Sequence, residues 1–179
     1  MNHPLNGKRI ALLVTDGFEQ VELTGPKEAL EQAGASTAIL SDHEGQVRGW
    51  HHDKPGDLFA VDKTFESALI EDYDALLLPG GVWNADHIRD ITSAVSLVRT
   101  AAEADRLIAV ICHGAWLLVS AGLVKGKTLT SWSSLKDDIS NAGGNWVDQA
   151  VVVDGKLISS RKPDDIPAFN EQLIESLAA

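Results

Sequence analysis

Short apolar runs of strand length alternate along this chain with stretches whose apolar residues recur at helical spacing. Residues 8–14, 75–78 and 107–111 are near-continuous apolar segments, which predicts strands covered on both faces. Residues 35–40, 58–61 and 127–130 read as further strands, and 41–57, polar and rich in Gly and His, as a short hairpin or loop. Residues 22–33 have a helical pattern closed by Gly34, and 67–71 predict a short helix. Between 86 and 104 the residues Ile91, Val95, Val98 and Ala102 are spaced by four, three and four, one face of a single helix that covers the sheet.

The carboxyl half continues the alternation. A helix over 116–121 ends at Gly122, and another over 134–142 ends at Gly143-Gly144. Residues 150–153 and 156–159 flank an Asp154-Gly155 turn, the plainest hairpin in the sequence. The last helix starts at Pro163, with Asp164 and Asp165 at its positive end, and buries Ile166, Phe169, Leu173 and Leu177. Strands and helices alternating through short connections predict an α/β fold, a doubly wound, mostly parallel sheet sandwiched by helices with an added β-hairpin. Neither repeat nor linker interrupts residues 1–179, which read as one domain.

Charge and cysteine content narrow the function classes. With 26 acidic and 15 basic residues the formal net charge is -11, and no basic stripe offsets it, so direct nucleic-acid binding is not expected. No apolar run reaches membrane-spanning length, and the apolar stretch near the amino end is too short for a signal peptide, so a cytoplasmic protein is expected. The single cysteine, Cys112, forbids an internal disulfide. His51-His52 is a poor metal pair because adjacent side chains seldom face one ligand, and no metal or cofactor is expected.

Cys112 stands where the 107–111 strand turns into a helix opening His113-Gly114-Ala115-Trp116. A nucleophile on such an elbow is lifted clear of the sheet, and the first amides of the helix favour its thiolate. Gly114 is expected to ease the tight turn. No histidine follows His113 in the chain, which excludes a triad with a downstream base. Gly80-Gly81 either simply ends the 75–78 strand or turns an amide towards a developing oxyanion, with the His113 amide as its partner. Glu19, in the loop after the first strand, reaches the same sheet edge and is either solvated or a carboxyl group beside the thiol. The five tryptophans form an aromatic pocket or interface, or ordinary packing. Residues 122–128 imitate a phosphate loop, but with one intervening residue too few and in the wrong helix-to-strand order.

Ile111-Cys112-His113-Gly114, Leu78-Pro79-Gly80-Gly81, Asp16-Gly17-Phe18-Glu19 and Ser160-Arg161-Lys162-Pro163-Asp164-Asp165 resemble, in order and spacing, the motifs of the ThiJ/PfpI family. Asn141-Ala142-Gly143-Gly144-Asn145-Trp146-Val147-Asp148 and the valine-rich hairpin are similar to its PfpI branch of intracellular peptidases, general stress proteins and deglycases or glyoxalases. The resemblance implies a flavodoxin-like, class I glutamine amidotransferase-like fold and a homodimer or higher homo-oligomer. It implies Cys112 as nucleophile, His113 as its neighbouring base, Glu19 as carboxyl partner of the thiol, and amides near Gly80, Gly81 and His113 as the oxyanion site. Asp86 is the nearest match to an acidic residue that reaches the histidine across a subunit interface in some members; it stands one position later than the glutamate of the peptidases. Ala115 replaces the proline that commonly follows Cys-His-Gly. These departures touch the peptidase reading most. The implied activity is a cofactor-independent, cysteine-dependent reaction on a small reactive carbonyl or a glycated protein, with intracellular peptidase and non-enzymatic redox sensor or holdase as alternatives.

Overall fold

The computed structural model describes residues 3–179. In chain order its strands are β1 (Arg9–Leu13), β2 (Phe18–Glu19), β3 (Ser36–Ser41), β4 (Gln46–His51), β5 (Lys54–Ala60), β6 (Lys63–Thr64), β7 (Ala75–Leu78), β8 (Leu107–Ile111), β9 (Thr128–Leu129), β10 (Asn145–Trp146), β11 (Val151–Asp154) and β12 (Leu157–Ser160). Its helices are α1 (Gln20–Gln32), α2 (Val82–Ile88), α3 (Thr92–Glu103), α4 (Ala115–Ala121), α5 (Lys136–Asn141) and α6 (Ile166–Ala178).

The main sheet has the order β11-β12-β8-β7-β1-β3-β6 and is parallel except for β11, which pairs antiparallel with β12. Alternation along the inner strands feeds two cores. Ala11 and Leu13 of β1 join Leu76, Leu78, Ile108 and Val110 under α3 and α4, while Ile10, Leu12, Leu77 and Ala109 pack with Leu23 of α1 and Phe169 of α6. The 150–159 hairpin thus adds to the main sheet, since β12 runs parallel to β8 with Ser160 opposite Ile111. The 41–57 segment contains a hairpin strand and the start of its mate: β4 and β5 form a small separate sheet with β2.

Two expected helices differ. Residues 67–71 do not form one; only a 3-10 turn occurs, at Ile70–Asp72. The span from 86 to 104 is two helices, α2 starting at Val82 and α3 at Thr92, because Ile91 is extended (φ -86°, ψ 111°) and bends the chain. The fully buried face of α3 is Ala94, Leu97, Val98 and Ala101; Val98 belongs to the predicted stripe, and its other members Ile91, Val95 and Ala102 pack half-buried against the same core. The last helix buries Ile166, Phe169, Leu173 and Leu177, as the pattern requires.

Candidate active site

The neighbouring strands β1, β7 and β8 end on the same side of the sheet, releasing Thr15-Asp16-Gly17, Pro79-Gly80-Gly81 and Cys112-His113 into one crevice. Carboxyl ends of parallel strands are where this architecture leaves room for a ligand. A cavity of about 730 Å³ opens there, lined by Glu19, Glu22, Gly81, Cys112 and His113 among others.

Cys112 leaves β8 in the left-handed region, φ 60°, although it carries a side chain. A non-glycine residue held there stores strain that the surrounding fold must enforce. The strain sits on the cysteine; Gly114 has an ordinary helical φ of -54°. Gly114 is required by proximity instead, because a Cβ on it would collide with the Leu78 carbonyl oxygen and lie 3.0 Å from that of Pro79. The expectation that it eases the turn is corrected accordingly.

Cys112 and His113 are both buried, and Cys112 Sγ lies 3.3 Å from His113 Nδ1. Desolvation lowers the His113 pKa, so the ring is neutral near pH 7. Its ring stacks on Trp132 at 5.8 Å and meets Trp116 edge-on at 5.4 Å. Gly81 takes a positive φ of 84° that lets its turn lie flat on residues 17–19: a Cβ there would be 2.5 Å from the Glu19 nitrogen.

The carboxyl group beside Cys112 belongs to Glu22, not Glu19. α1 begins two residues earlier than the pattern suggests, leaving Glu19 extended at the helix boundary and turning Glu22 inward in the first turn. Glu22 is fully buried; its Oε2 accepts the Gly80 amide N–H at 2.7 Å, and its Oε1 is buried without a hydrogen-bond partner. Glu19 instead accepts the His52 amide N–H at 3.1 Å, tying the tip of the β4–β5 hairpin to the cavity rim. A signal for Glu22 was present in the sequence. It is spaced by four from Pro26 and by eight from Leu30, both buried, so it lies on the apolar stripe of α1.

Burial pushes the Glu22 pKa up to about 8, against the pull of the Gly80 amide and the Cys112 side chain, with the Glu19 charge adding slightly. Burial also pushes the Cys112 thiol up, as does the Glu22 charge, while the amides of His113 and Gly81 draw it down. These are two faces of one coupled titration. At neutral pH Glu22 holds a proton, its charge is absent, and its O–H becomes a donor next to sulfur. Burial leaves the resting cysteine less acidic than the elbow alone predicts, and protonation of Glu22 offsets part of that by removing a nearby charge and offering sulfur a donor.

Asn84 was not anticipated. Buried in α2, its Oδ1 accepts from the Thr15 amide at 2.7 Å and the Thr15 hydroxyl at 3.1 Å, while Nδ2 donates to the carbonyls of Pro79 and Gly80 at 3.2 and 3.0 Å. It fastens the loop after β1 to the Pro-Gly-Gly turn. On the opposite rim, Arg161 grips Asp165 through two bonds of 2.8 and 3.0 Å and Asp148 through one of 2.8 Å, holding the turn whose Pro163 lines the cavity. Asp86 lies on the exposed side of α2 and does not line the cavity.

Comparison with known proteins agrees with this architecture. The model of the DJ-1/PfpI family matches residues 8–176. The chain belongs to the DJ-1/PfpI family. An uncharacterized protein of Staphylococcus epidermidis is 39% identical over 175 residues, covering 96% of this chain and 99% of the relative. Among solved structures, a two-domain Anabaena variabilis protein with DJ-1/ThiJ/PfpI-like and ferritin-like domains matches with a TM-score of 0.89 and 32% identity, over 95% of this chain and 48% of that one. Drosophila melanogaster DJ-1beta matches with a TM-score of 0.86 and 28% identity, over 96% and 90%. Among the described residues no helix is long and apolar enough to cross a membrane, and no group of three or more His, Cys, Asp and Glu could hold a metal ion.

Proposed function

We propose that this protein is a cysteine-dependent enzyme that converts reactive 2-oxoaldehydes to 2-hydroxy acids without a cofactor. The observation that carries this reading is the grouping of a strained Cys112, a neutral imidazole 3.3 Å from its sulfur, and a buried carboxyl group that holds its proton to about pH 8.

The thiol proton passes to His113 Nδ1 as sulfur bonds to the aldehyde carbon; the C=O pair moves to oxygen, which takes that proton and gives a hemithioacetal. Glu22, as carboxylate, removes the hydrogen on that carbon and returns it to the neighbouring one, while the hydroxyl proton moves between the two oxygens. The product is a 2-hydroxyacyl thioester. Water adds to it, the C–S bond breaks, and sulfur recovers its proton. The net change is addition of one water, and no external oxidant or reductant enters. Amides at Gly81 and His113 supply the anion stabilisation, worth about 3 to 4 kcal/mol for a well-placed donor. Because only the carboxylate form of Glu22 acts as base, turnover rises with pH through about 8.

Peptide hydrolysis is less well supported, because His113 lies between two indole rings with no carboxylate partner among the described residues. The deciding experiment incubates wild type and Cys112→Ala with methylglyoxal in the absence of glutathione and follows lactate by NMR. Lactate that depends on Cys112 is expected; none from folded wild type, or equal amounts from both proteins, overturns the reading.

A further inference from the structure

Three of the five tryptophans, Trp50, Trp83 and Trp132, line the cavity above Cys112. Trp50 and Trp83 form a corner, their ring centroids 4.5 Å apart and their planes at 58°, and Trp132, which lines the same cavity, stacks on His113. The remaining two are bound into the fold through their indole N–H groups, Trp116 to Asp138 at 2.9 Å and Trp146 to Ser131 at 3.0 Å. The cavity tryptophans have no such acceptor among the described residues. Trp83 is 63% exposed and Trp132 39%, so neither has its main packing in the core. Large aromatic surface left in water and gathered around one reactive group marks a place where a ligand completes the packing.

Size and charge narrow the ligand. A cavity of about 730 Å³ is in the range that encloses a drug-sized molecule, and a three-carbon oxoaldehyde would leave most of it unfilled. No lysine or arginine lines it, whereas Glu19, Glu22 and Asp53 do, so a phosphate or carboxylate on the substrate would find no counter-charge.

We propose that this cavity selects ligands carrying a neutral aromatic group, that its substrates are aromatic 2-oxoaldehydes, and that Trp83 and Trp132 determine that specificity. The substrate half of this inference rests on the carbonyl reading above.

The kinetic test compares kcat/KM for phenylglyoxal and methylglyoxal, each divided by its rate with a free thiol to remove intrinsic reactivity. Wild type is expected to favour phenylglyoxal by about 10- to 100-fold, and Trp83→Ala and Trp132→Ala each to shrink that ratio at least about fivefold. A ratio near one, or one that neither substitution moves, overturns the specificity. A binding test uses Cys112→Ser, in which 2-hydroxyacetophenone and hydroxyacetone are titrated and followed through indole N–H shifts. Saturable binding of the aromatic ketone alone, lost in the tryptophan variants, is the expected result; equal binding of both ketones overturns the selectivity. If neither aldehyde is turned over but the aromatic ketone still binds through the tryptophans, the proposed reaction falls and the selectivity stands. If both aldehydes react without preference, the reaction stands and the selectivity falls.

Discussion

Glu22 and Cys112 meet across the Cα of Gly80. A Cβ built on that glycine would sit 2.6 Å from Glu22 Oε2, 2.9 Å from Cys112 Cβ and 2.9 Å from the His113 nitrogen. The glycine is thus needed for proximity, since its bare Cα allows the carboxyl group and the elbow to share one small volume. Gly80→Ala is expected to push them apart, lower stability by about 1 to 3 kcal/mol and reduce Cys112-dependent turnover at least tenfold. Chemical denaturation and lactate formation measure the two effects, and an alanine variant with wild-type values for both would show that the contact is not needed.

The buried carboxyl group should also appear in stability. Its pKa rises from the ordinary 4.5 to about 8 on folding. Between those values the folded protein keeps a proton that the unfolded chain has released, so this group's contribution to stability declines as pH rises through the interval. At 1.36 kcal/mol per pH unit, the decline between pH 4.5 and 7 is about 3 kcal/mol. Glu22→Gln has no such proton. The stability difference between variant and wild type should therefore grow in the variant's favour over this range, as read from urea midpoints at several pH values. A difference constant with pH would mean that Glu22 is ionised in the folded protein.

How far the site could be read before the structure depended on whether each residue's partner was local. Cys112 and His113 announce themselves, because an apolar run ending in Cys-His-Gly is a strand-to-helix turn whatever surrounds it. The hairpin at 150–159 and the stripe of α6 were legible for the same reason. Glu22 lies inside the expected 22–33 helix, and its spacing to Pro26 and Leu30 marks it as inward-facing, but the carboxyl role was carried onto Glu19, which the expected boundary left in the loop. The break between α2 and α3 was hidden because Ile91 continues an apolar period that Ile88 and Val98 also fit. Asn84 was hidden because, although two of its bonds reach back only four and five residues to Gly80 and Pro79, the two to Thr15 exist only because the parallel β1–β7 pairing brings that residue alongside.

Those four bonds give Asn84 a measurable role. Replacing it by alanine leaves the Thr15 amide and the Pro79 carbonyl buried without a partner, while the Gly80 carbonyl keeps only the long 3.4 Å bond from the Glu19 amide. Leaving buried polar groups unpaired costs about 1 to 3 kcal/mol each in the less forgiving cases, and some will find water, so a loss of about 2 to 4 kcal/mol is expected. Hydrogen exchange at the Thr15 amide should accelerate more than exchange in α6. Uniform acceleration across the chain would mean that Asn84 contributes only to global stability.

The left-handed φ of Cys112 predicts an unusual order among its substitutions. Alanine removes the thiol but keeps a Cβ in a conformation that costs an L-residue about 1 to 2 kcal/mol. Glycine removes that penalty and adds about 0.5 to 1 kcal/mol of chain entropy to the unfolded state. The balance favours glycine by up to about 1.5 kcal/mol at a position where glycine would elsewhere be the worse choice. Comparing the Tm of Cys112→Gly with that of Cys112→Ala tests this directly. Should alanine be the more stable, the elbow holds little strain, and the reactivity of Cys112 would have to come from its neighbours Glu22 and His113 alone.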